Sequence, residues 1–179
     1  MSRRYIALLR GINVGRAKRI AMADLRTLIT RLGFHDVRTL LNSGNVVFDG
    51  AAAPAQDIAT RIEQALTGEL GVASRVTVLR ADELAAIVDA NPLLPIATDH
   101  ARLPVFVLSR SADSELLAAL ADQDWTPEVL ASGPRAVYLW CPDGMLASPL
   151  AQAVGKLLGE ATTARNWNTI GKLHALAKS

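Results

Sequence analysis

The order in which the hydrophobic pattern changes along the first half of the chain is the feature that most constrains its fold. The apolar run YIALLRG, which begins at Tyr5, has the length of a strand. A helical spacing follows, with apolar residues at Met22, Leu25, Leu28, Ile29 and Leu32, and Gly33 ends it. The first strand is therefore predicted to lead into an amphipathic helix.

A hairpin and a second helix are predicted next. Residues 37–41 and 46–48 are predicted to form two short strands around an Asn-Ser-Gly-Asn turn, in which Gly and Asn tolerate the positive φ of a tight hairpin. Helical spacing resumes over residues 58–70, and RVTVL forms a further strand. The resulting order, βαββαβ, predicts a ferredoxin-like unit with two helices on one face of an antiparallel sheet.

The second half repeats this pattern more loosely. A short helix near residues 82–90 and the proline-containing NPLLP form a connector. The strands RLPVFVL and AVYLW, a short strand near residues 128–131 and three helical stretches follow. We therefore expect an α+β protein of two ferredoxin-like units, 1–80 and 102–179, joined by a connector at 81–101, with antiparallel or mixed sheets. Pro104 lacks an amide hydrogen, which favours an edge strand.

Composition narrows the class of protein. The chain has 179 residues, of which 50% are hydrophobic, enough for a sizeable core and too many for a disordered chain. No apolar run approaches the roughly 18–20 residues that cross a bilayer, and MSRRYIALLRG has too short an apolar core for a secretory signal. The single cysteine, Cys141, cannot form an internal disulfide and is predicted to be a small apolar residue at a strand end. We expect a cytoplasmic protein without a membrane partner.

The charges are distributed unevenly. Residues 1–49 contain nine Lys and Arg against three acids, a net charge of +6, whereas the whole chain carries +2. The acids concentrate between Asp82 and Glu128, and the C-terminal stretch is basic again. This asymmetry favours an anionic partner, although solvated helix faces explain many single charges.

Several chemistries have no motif in this sequence. The chain lacks G-x-G-x-x-G, the Walker loop and the G-x-S-x-G nucleophile elbow. His35, His100 and His174 lie far apart, without the spacing of a metal site. We expect neither a metal nor a cofactor.

Cations concentrate in LRGINVGRAKRI, residues 9–20. Gly11 and Gly15 allow successive amides to point the same way just before a helix, a geometry that favours an anion. The side chains that would contribute are Arg10, Asn13, Arg16, Lys18 and Arg19. The alternative is that the glycines only turn the chain and the cations are solvated.

A second candidate segment is TTARNWNTIGKL, residues 162–173. Arg165, Asn166, Trp167 and Lys172 combine charge, amide and ring, which suits a phosphorylated or aromatic ligand. Structural roles explain the same residues: an Asn or Thr of this segment would cap the last helix, and Trp167 would pack in the core.

The hairpin turn contains a third group, Ser43, Gly44 and Asn45. Such residues usually satisfy local backbone groups. Ser43 is not predicted to be a nucleophile, because no partner base is visible in the sequence.

Together, ALLRGINVG, SGNVVF and TARNWNTIGKL resemble, in sequence and order, the bacterial domain of unknown function 1697 family. The resemblance extends from Tyr5 to Ala177 and implies two related α+β units without an established activity. It adds Thr163 and Thr169 to the residues named above. Arg16 replaces a glycine common in the family and Ala21 a proline, which implies a more basic and less compact loop.

Three functional hypotheses follow from the sequence. The first joins the basic loop and the RNW segment into one site for a small phosphorylated or carboxylated ligand, with nucleic acid a weaker alternative. The second is an enzyme acting on a phosphorylated small molecule, with Arg10 and Lys18 stabilising charge and Ser43 or Asn166 positioning the substrate. It lacks an evident base, since Asp24, Asp36 and Asp49 have structural explanations. The third gives the motif residues purely structural roles, and no pattern indicates an oligomeric state.

Overall fold

The computed structural model describes residues 1–110 and 116–179. They form two compact units, the first consisting of Met1–Leu84 and Ala175–Ser179, the second of Ala85–His174. Each unit contains one four-stranded antiparallel sheet with helices packed on it, which confirms the predicted α+β class. None of the helices in the described ranges is long and apolar enough to cross a membrane.

The first unit has the predicted element order. Its elements are β1 (Ser2–Leu9), α1 (Met22–Arg31), β2 (His35–Leu40), β3 (Asn45–Ala51), α2 (Ala55–Leu70) and β4 (Val76–Arg80), followed by α3 (Ala81–Asp89). The sheet order is β2-β3-β1-β4, and each neighbouring pair is antiparallel. This is the ferredoxin-like arrangement expected from the hydrophobic pattern.

Strand β1 is apolar without interruption because both of its faces are buried. Tyr5, Ala7 and Leu9 belong to the core cluster that includes residues of α1 and α2. Ile6 and Leu8 point to the opposite face and are equally inaccessible to solvent. A central strand buried on both faces carries a continuous hydrophobic run rather than an alternating one.

The second unit repeats the topology. Its elements are β5 (Pro104–Leu108), α4 (Ala118–Ala121), β6 (Val129–Gly133), β7 (Ala136–Trp140), α5 (Pro149–Leu158), β8 (Thr162–Asn166) and the larger part of α6 (Trp167–Lys178), whose residues from Ala175 onward belong to the first unit. The sheet order, β6-β7-β5-β8, is that of the first unit. The repeat looked loose in the sequence because α4 has a single turn and β8 is polar.

The prediction of an edge strand at Pro104 is wrong. Strand β5 lies between β7 and β8, and Pro104 is its first residue, opposite Asn166. A proline is tolerated at the first position of a strand, where the missing donor interrupts no ladder. The backbone of Leu103 maintains the pairing, since its carbonyl accepts a hydrogen bond from the Trp167 amide at 2.9 Å.

Cys141 immediately follows β7 and is fully buried in the core of the second unit, as expected for a small apolar residue. Burial raises the pKa of its thiol to about 11. The neighbouring Ser148 caps α5 by accepting a hydrogen bond from the Ala151 amide at 2.8 Å, and its hydroxyl donates to Glu128.

Candidate functional site

Three segments meet at one end of the first sheet. The loop of residues 10–21 follows β1, the turn of residues 41–44 joins β2 to β3, and Ser74 and Arg75 precede β4. The Leu9 amide donates to the Gly44 carbonyl, and the Arg10 amide donates to the Arg75 carbonyl, each at 2.9 Å. The Ser74 hydroxyl donates to the Arg10 carbonyl at 2.8 Å. We call the loop of residues 10–21 and the turn of residues 41–44 the basic tip.

Asn13 fixes the conformation of the loop. Its amide Nδ2 donates to the carbonyls of Ile20 at 2.9 Å and Asn42 at 2.7 Å, and its Oδ1 accepts from the Ile20 amide at 2.8 Å. The Asn13 backbone amide also donates to the Lys18 carbonyl at 3.0 Å. Both amide hydrogens of the Asn13 side chain thus donate to carbonyls within the tip. Asn13 is a positioning residue that holds the loop against the turn.

Gly44 is required by space as well as by conformation. Its φ is +86°, and a Cβ at this position would lie 2.7 Å from Leu9 Cβ and 2.8 Å from Ile12 Cδ1. Gly15 in the loop also has a positive φ, +67°, but a Cβ there would meet no atom within 4 Å. The close approach of the turn to β1 therefore depends on Gly44.

Asn45 closes the turn from within. Its side chain is fully buried, and its Nδ2 donates to the Leu40 carbonyl at 2.8 Å and to Ser43 Oγ at 2.9 Å. The Ser43 residue itself is exposed. Asn45 thus has a structural role in the turn, while Ser43 lies at the surface of the tip.

The cations of the tip differ from those arginines of the first unit that form ion pairs with carboxylates. Arg16, Lys18 and Arg19 are exposed, and none of the three has an ion-pair partner within residues 1–110 and 116–179. Other arginines of this unit pair with carboxylates, namely Arg4, Arg31, Arg38, Arg75 and Arg80. Arg10 is only half-buried. The tip thus presents positive charge that the described protein does not neutralise.

An open cleft of about 330 Å³ lies beside these cations. It is lined by Asn13, Arg19, Ile20, Ala21, Met22 and Asn42. Ala21 is the N-cap of α1, and no side chain caps the first amides of this helix. None of the six lining residues is acidic. The cleft therefore combines a guanidinium with the positive end of a helix and offers an environment suited to an anion.

Arg165 in the second unit lies in a different environment. It belongs to β8 and pairs with Val105 of β5. Its Nη1 donates to the Ala164 carbonyl at 2.9 Å, and burial lowers the pKa of its guanidinium to about 10. Arg165 is half-buried, unlike the exposed cations of the tip.

The other residues of the RNW segment mainly begin α6. Asn166 Oδ1 accepts hydrogen bonds from the Thr169 amide at 3.0 Å and from the Thr169 hydroxyl at 3.1 Å, which confirms the predicted helix cap. Trp167 is the first residue of α6 and is 8% exposed, as expected for a core residue. Lys172 is exposed on the same helix.

Comparison with known proteins identifies the family. A family model described as Protein of unknown function (DUF1697) matches residues 1–138. The chain belongs to the DUF1697 family. The matched range contains the whole basic tip and ends before the RNW segment.

A solved structure supports the fold of this DUF1697 protein. The structure of a conserved bacterial protein from Streptococcus pneumoniae is 24% identical in sequence, with 99% of each chain covered and a TM-score of 0.80. At this level of identity the likeness concerns the fold. No curated protein shows significant similarity to the chain.

The predicted site residues are divided between the two units. The residues that lie at or beside the basic tip of the DUF1697 protein are Arg10, Gly11, Asn13, Gly15, Arg16, Lys18, Ser43 and Asn45. Arg165, Asn166, Trp167 and Lys172 belong to the second unit. A single site containing both groups stays a prediction.

Two residues that line the cleft, Asn42 and Met22, are not among the site residues predicted from the sequence. Asn42 lines the cleft, and its carbonyl receives the shortest Asn13 hydrogen bond. Met22 provides an apolar wall. The turn signal at residues 42–45 could have identified Asn42, since a hairpin turn and the end of β1 share one edge of a ferredoxin-like sheet. No sequence signal indicates that Met22 borders a cleft.

Proposed function

We propose that this DUF1697 protein binds an anionic ligand, phosphorylated or carboxylated, at the basic tip. The observation that carries the proposal is the group formed by Arg16, Lys18 and Arg19, which are exposed, close in sequence and without an ion pair in the described chain. Three such charges in one short loop repel one another unless an anion neutralises them. A bound phosphate or carboxylate would remove this repulsion.

The loop has a fixed conformation, which supports ligand binding over simple solvation of its cations. The hydrogen bonds of Asn13 fix the backbone between residues 13 and 20 before any ligand arrives. A preordered site loses less conformational entropy on binding than a flexible one. Arg19, which lines the cleft, can donate two parallel hydrogen bonds to a phosphate or carboxylate. Arg16 and Lys18 add charge from the same loop.

Binding is better supported than catalysis. The cleft has no acidic lining residue that could act as a general base. Asp24 is exposed in the first turn of α1, and Asp36 and Asp49 both bind Arg4. No observation therefore favours the enzyme hypothesis.

The proposal is tested by isothermal titration calorimetry with pyrophosphate, citrate and a short oligothymidylate at low salt. The triple variant Arg16→Ala/Lys18→Ala/Arg19→Ala should bind the preferred probe at least tenfold more weakly than the natural chain. The matched control is Arg3→Ala/Arg31→Ala/Lys178→Ala, which removes two arginines and one lysine of the same unit outside the tip. Equal losses in both variants, or no binding of any probe by the natural chain, would contradict the proposal.

The three probes also identify the class of ligand. Oligothymidylate binding should weaken steeply as salt is raised, because counterion release supplies much of the affinity for nucleic acids. Preference for pyrophosphate or citrate over oligothymidylate would favour a compact polyanion, for which the open cleft provides the contact surface.

A further inference from the structure

Two aliphatic side chains protrude from the basic tip, next to its cations. Val14 is 73% exposed and Leu41 is 51% exposed. They adjoin Asn13 and Asn42 in sequence, and a 2.7 Å hydrogen bond from Asn13 Nδ2 to the Asn42 carbonyl joins the two backbone segments that carry them. Leu41 moreover has a φ of +58°, a conformation that is costly for a residue with a Cβ. The tip is therefore apolar as well as basic.

This combination fits a protein partner better than a nucleic acid. Residues 10–21 and 41–44 contain no aromatic side chain, so bases have no ring on which to stack. Exposed aliphatic residues bordered by charges resemble instead the apolar centre and polar rim of a protein interface. A suitable partner would carry carboxylates beside exposed apolar side chains.

The second unit of the same chain carries such a surface. A cleft of about 390 Å³ is lined in part by Asp124, Glu128 and Asp143. No cation pairs with these three carboxylates in the part of the chain that the structure describes. Met145 and Leu146, which lie in sequence between the lining residues Asp143 and Ala147, are 39% and 95% exposed. We call this surface, Asp124, Glu128, Asp143, Met145 and Leu146, the acidic cleft.

The formal charges of the two units have opposite signs. The first unit contains thirteen Lys and Arg against eight Asp and Glu, a net charge of +5. The second contains six against nine, a net charge of −3. Opposite potentials on two surfaces steer encounters between molecules and favour docking in a defined orientation.

We infer that this protein self-associates, with the basic tip of one copy docked in the acidic cleft of a second copy. Arg16, Lys18 and Arg19 face the carboxylates of the cleft, and Val14 and Leu41 pack against Met145 and Leu146. The inference rests on the proposed function, because the anion is here the set of carboxylates of the second copy. The interface joins two different surfaces, so each copy offers one tip and one cleft.

Sedimentation velocity of the full chain over a range of concentrations tests this inference. Self-association should be evident at about 20 mM NaCl and lost at about 500 mM, where exposed charges are screened. Two variants reverse the charges: Arg16→Glu/Lys18→Glu/Arg19→Glu in the tip, and Asp124→Lys/Asp143→Lys in the cleft. Glu128 is left unchanged because it is half-buried and binds Ser148 and the Leu150 amide. Asp124 is exposed, and its Oδ1 accepts hydrogen bonds from the amide and hydroxyl of Thr126, two residues away. Circular dichroism establishes that both variants fold.

The mixture of the two variants gives the decisive result. Each variant alone should be monomeric, whereas an equimolar mixture should associate. The natural tip of the cleft variant then faces the natural cleft of the tip variant, and the reversed tip faces the reversed cleft. Leu146→Ser, in a natural background, should weaken association without changing any charge. A natural chain that is monomeric at every concentration, or association that survives either charge reversal, would overturn the inference.

These outcomes are separable from those of the proposed function. Pyrophosphate or citrate binding at the tip by a strictly monomeric chain would overturn self-association and leave anion binding intact. If association requires both surfaces and no small probe binds, the hypothesis of a small anionic ligand is overturned and docking of a second copy is supported. Oligothymidylate binding by a monomer would assign the tip to nucleic acid and overturn the inference.

Discussion

Arg4 and Asp49 form a bidentate ion pair in the sheet of the first unit. Arg4 Nε lies 2.8 Å from Asp49 Oδ1, and Arg4 Nη2 lies 2.9 Å from Asp49 Oδ2. Arg4 Nη2 also donates to Asp36 Oδ2 at 2.7 Å, and Nη1 donates to the carbonyls of Ser179 at 3.1 Å and Ala177 at 3.3 Å. One guanidinium therefore links β1, β2, β3 and the C-terminal segment.

Replacing Arg4 should destabilise the protein measurably. The side chains of Arg4 and Asp49 are each about one-fifth exposed, 21% and 20%, so water screens the pair only in part. We expect Arg4→Ala to lower the free energy of unfolding by about 1.5–3 kcal/mol, the contribution of hydrogen bonds to charged groups. Urea unfolding measures this change. Arg3→Ala is the matched control, and an equal loss in the control would show that the pair contributes nothing specific.

The same pair predicts a dependence of stability on pH. The hydrogen bonds from Arg4 lower the pKa of Asp49 below its usual value of 3.8. The stabilisation is therefore fully present above about pH 4, the pKa in the unfolded chain, and is lost as the pH falls through the lower folded pKa. The difference in unfolding free energy between the natural chain and Arg4→Ala should shrink below about pH 4. A constant difference down to pH 2 would contradict this account.

Gly44→Ala should be far more harmful than Gly15→Ala. Both positions have a positive φ, but only at Gly44 would a new Cβ collide, at 2.7 Å from Leu9 Cβ. We expect a loss of about 2–4 kcal/mol for Gly44→Ala, the sum of the conformational cost and overpacking, and about 1–2 kcal/mol for Gly15→Ala. Thermal unfolding of both variants compares these costs. Equal melting temperatures would show that the turn moves to accommodate the methyl group.

The sequence predicted the first unit well because its signals are local. Each strand and helix from Tyr5 to Arg80 carries its own hydrophobic period, and the ferredoxin-like order follows from their succession. Strand β8 is not predicted from the sequence, because its residues, TTARN, are mostly polar and its Thr and Asn residues are equally typical of helix caps. Its pairing with β5 depends on a partner more than fifty residues away, which no local pattern records. Pairing with distant strands also explains why the strand that begins at Pro104 is central, since β5 lies between β7 and β8.

The candidate site was predictable in its location but less so in the roles of its residues. The motif residues Asn13 and Asn45 look like ligand-binding groups in the sequence, yet both direct their hydrogen bonds into the backbone of the tip. Only the folded chain reveals which cations have ion-pair partners. The exposure of Val14 likewise could not be predicted, because an apolar residue between glycines is equally consistent with burial.

The Cys141 thiol should be unreactive in the folded protein. Its pKa is raised to about 11 by burial, so very little thiolate exists near pH 8, and the side chain is inaccessible to reagents. We expect no reaction with Ellman's reagent at pH 8 on the time scale that modifies a small-molecule thiol. One thiol per chain should react after denaturation in guanidinium chloride. Rapid labelling of the folded chain would contradict the buried position.

Asn13→Ala should release the loop of the basic tip while leaving its charges in place. The substitution removes the hydrogen bonds to the carbonyls of Ile20 and Asn42 and the acceptor for the Ile20 amide. Hydrogen–deuterium exchange should therefore accelerate over residues 10–21 and stay unchanged over α2. Affinity for the anionic probe should fall about tenfold, because the ordering cost shifts to the binding step. Asn42→Ala, which keeps the accepting carbonyl, is the control and should leave exchange in the loop slow. Unchanged exchange in Asn13→Ala would show that the loop does not depend on this side chain for its conformation.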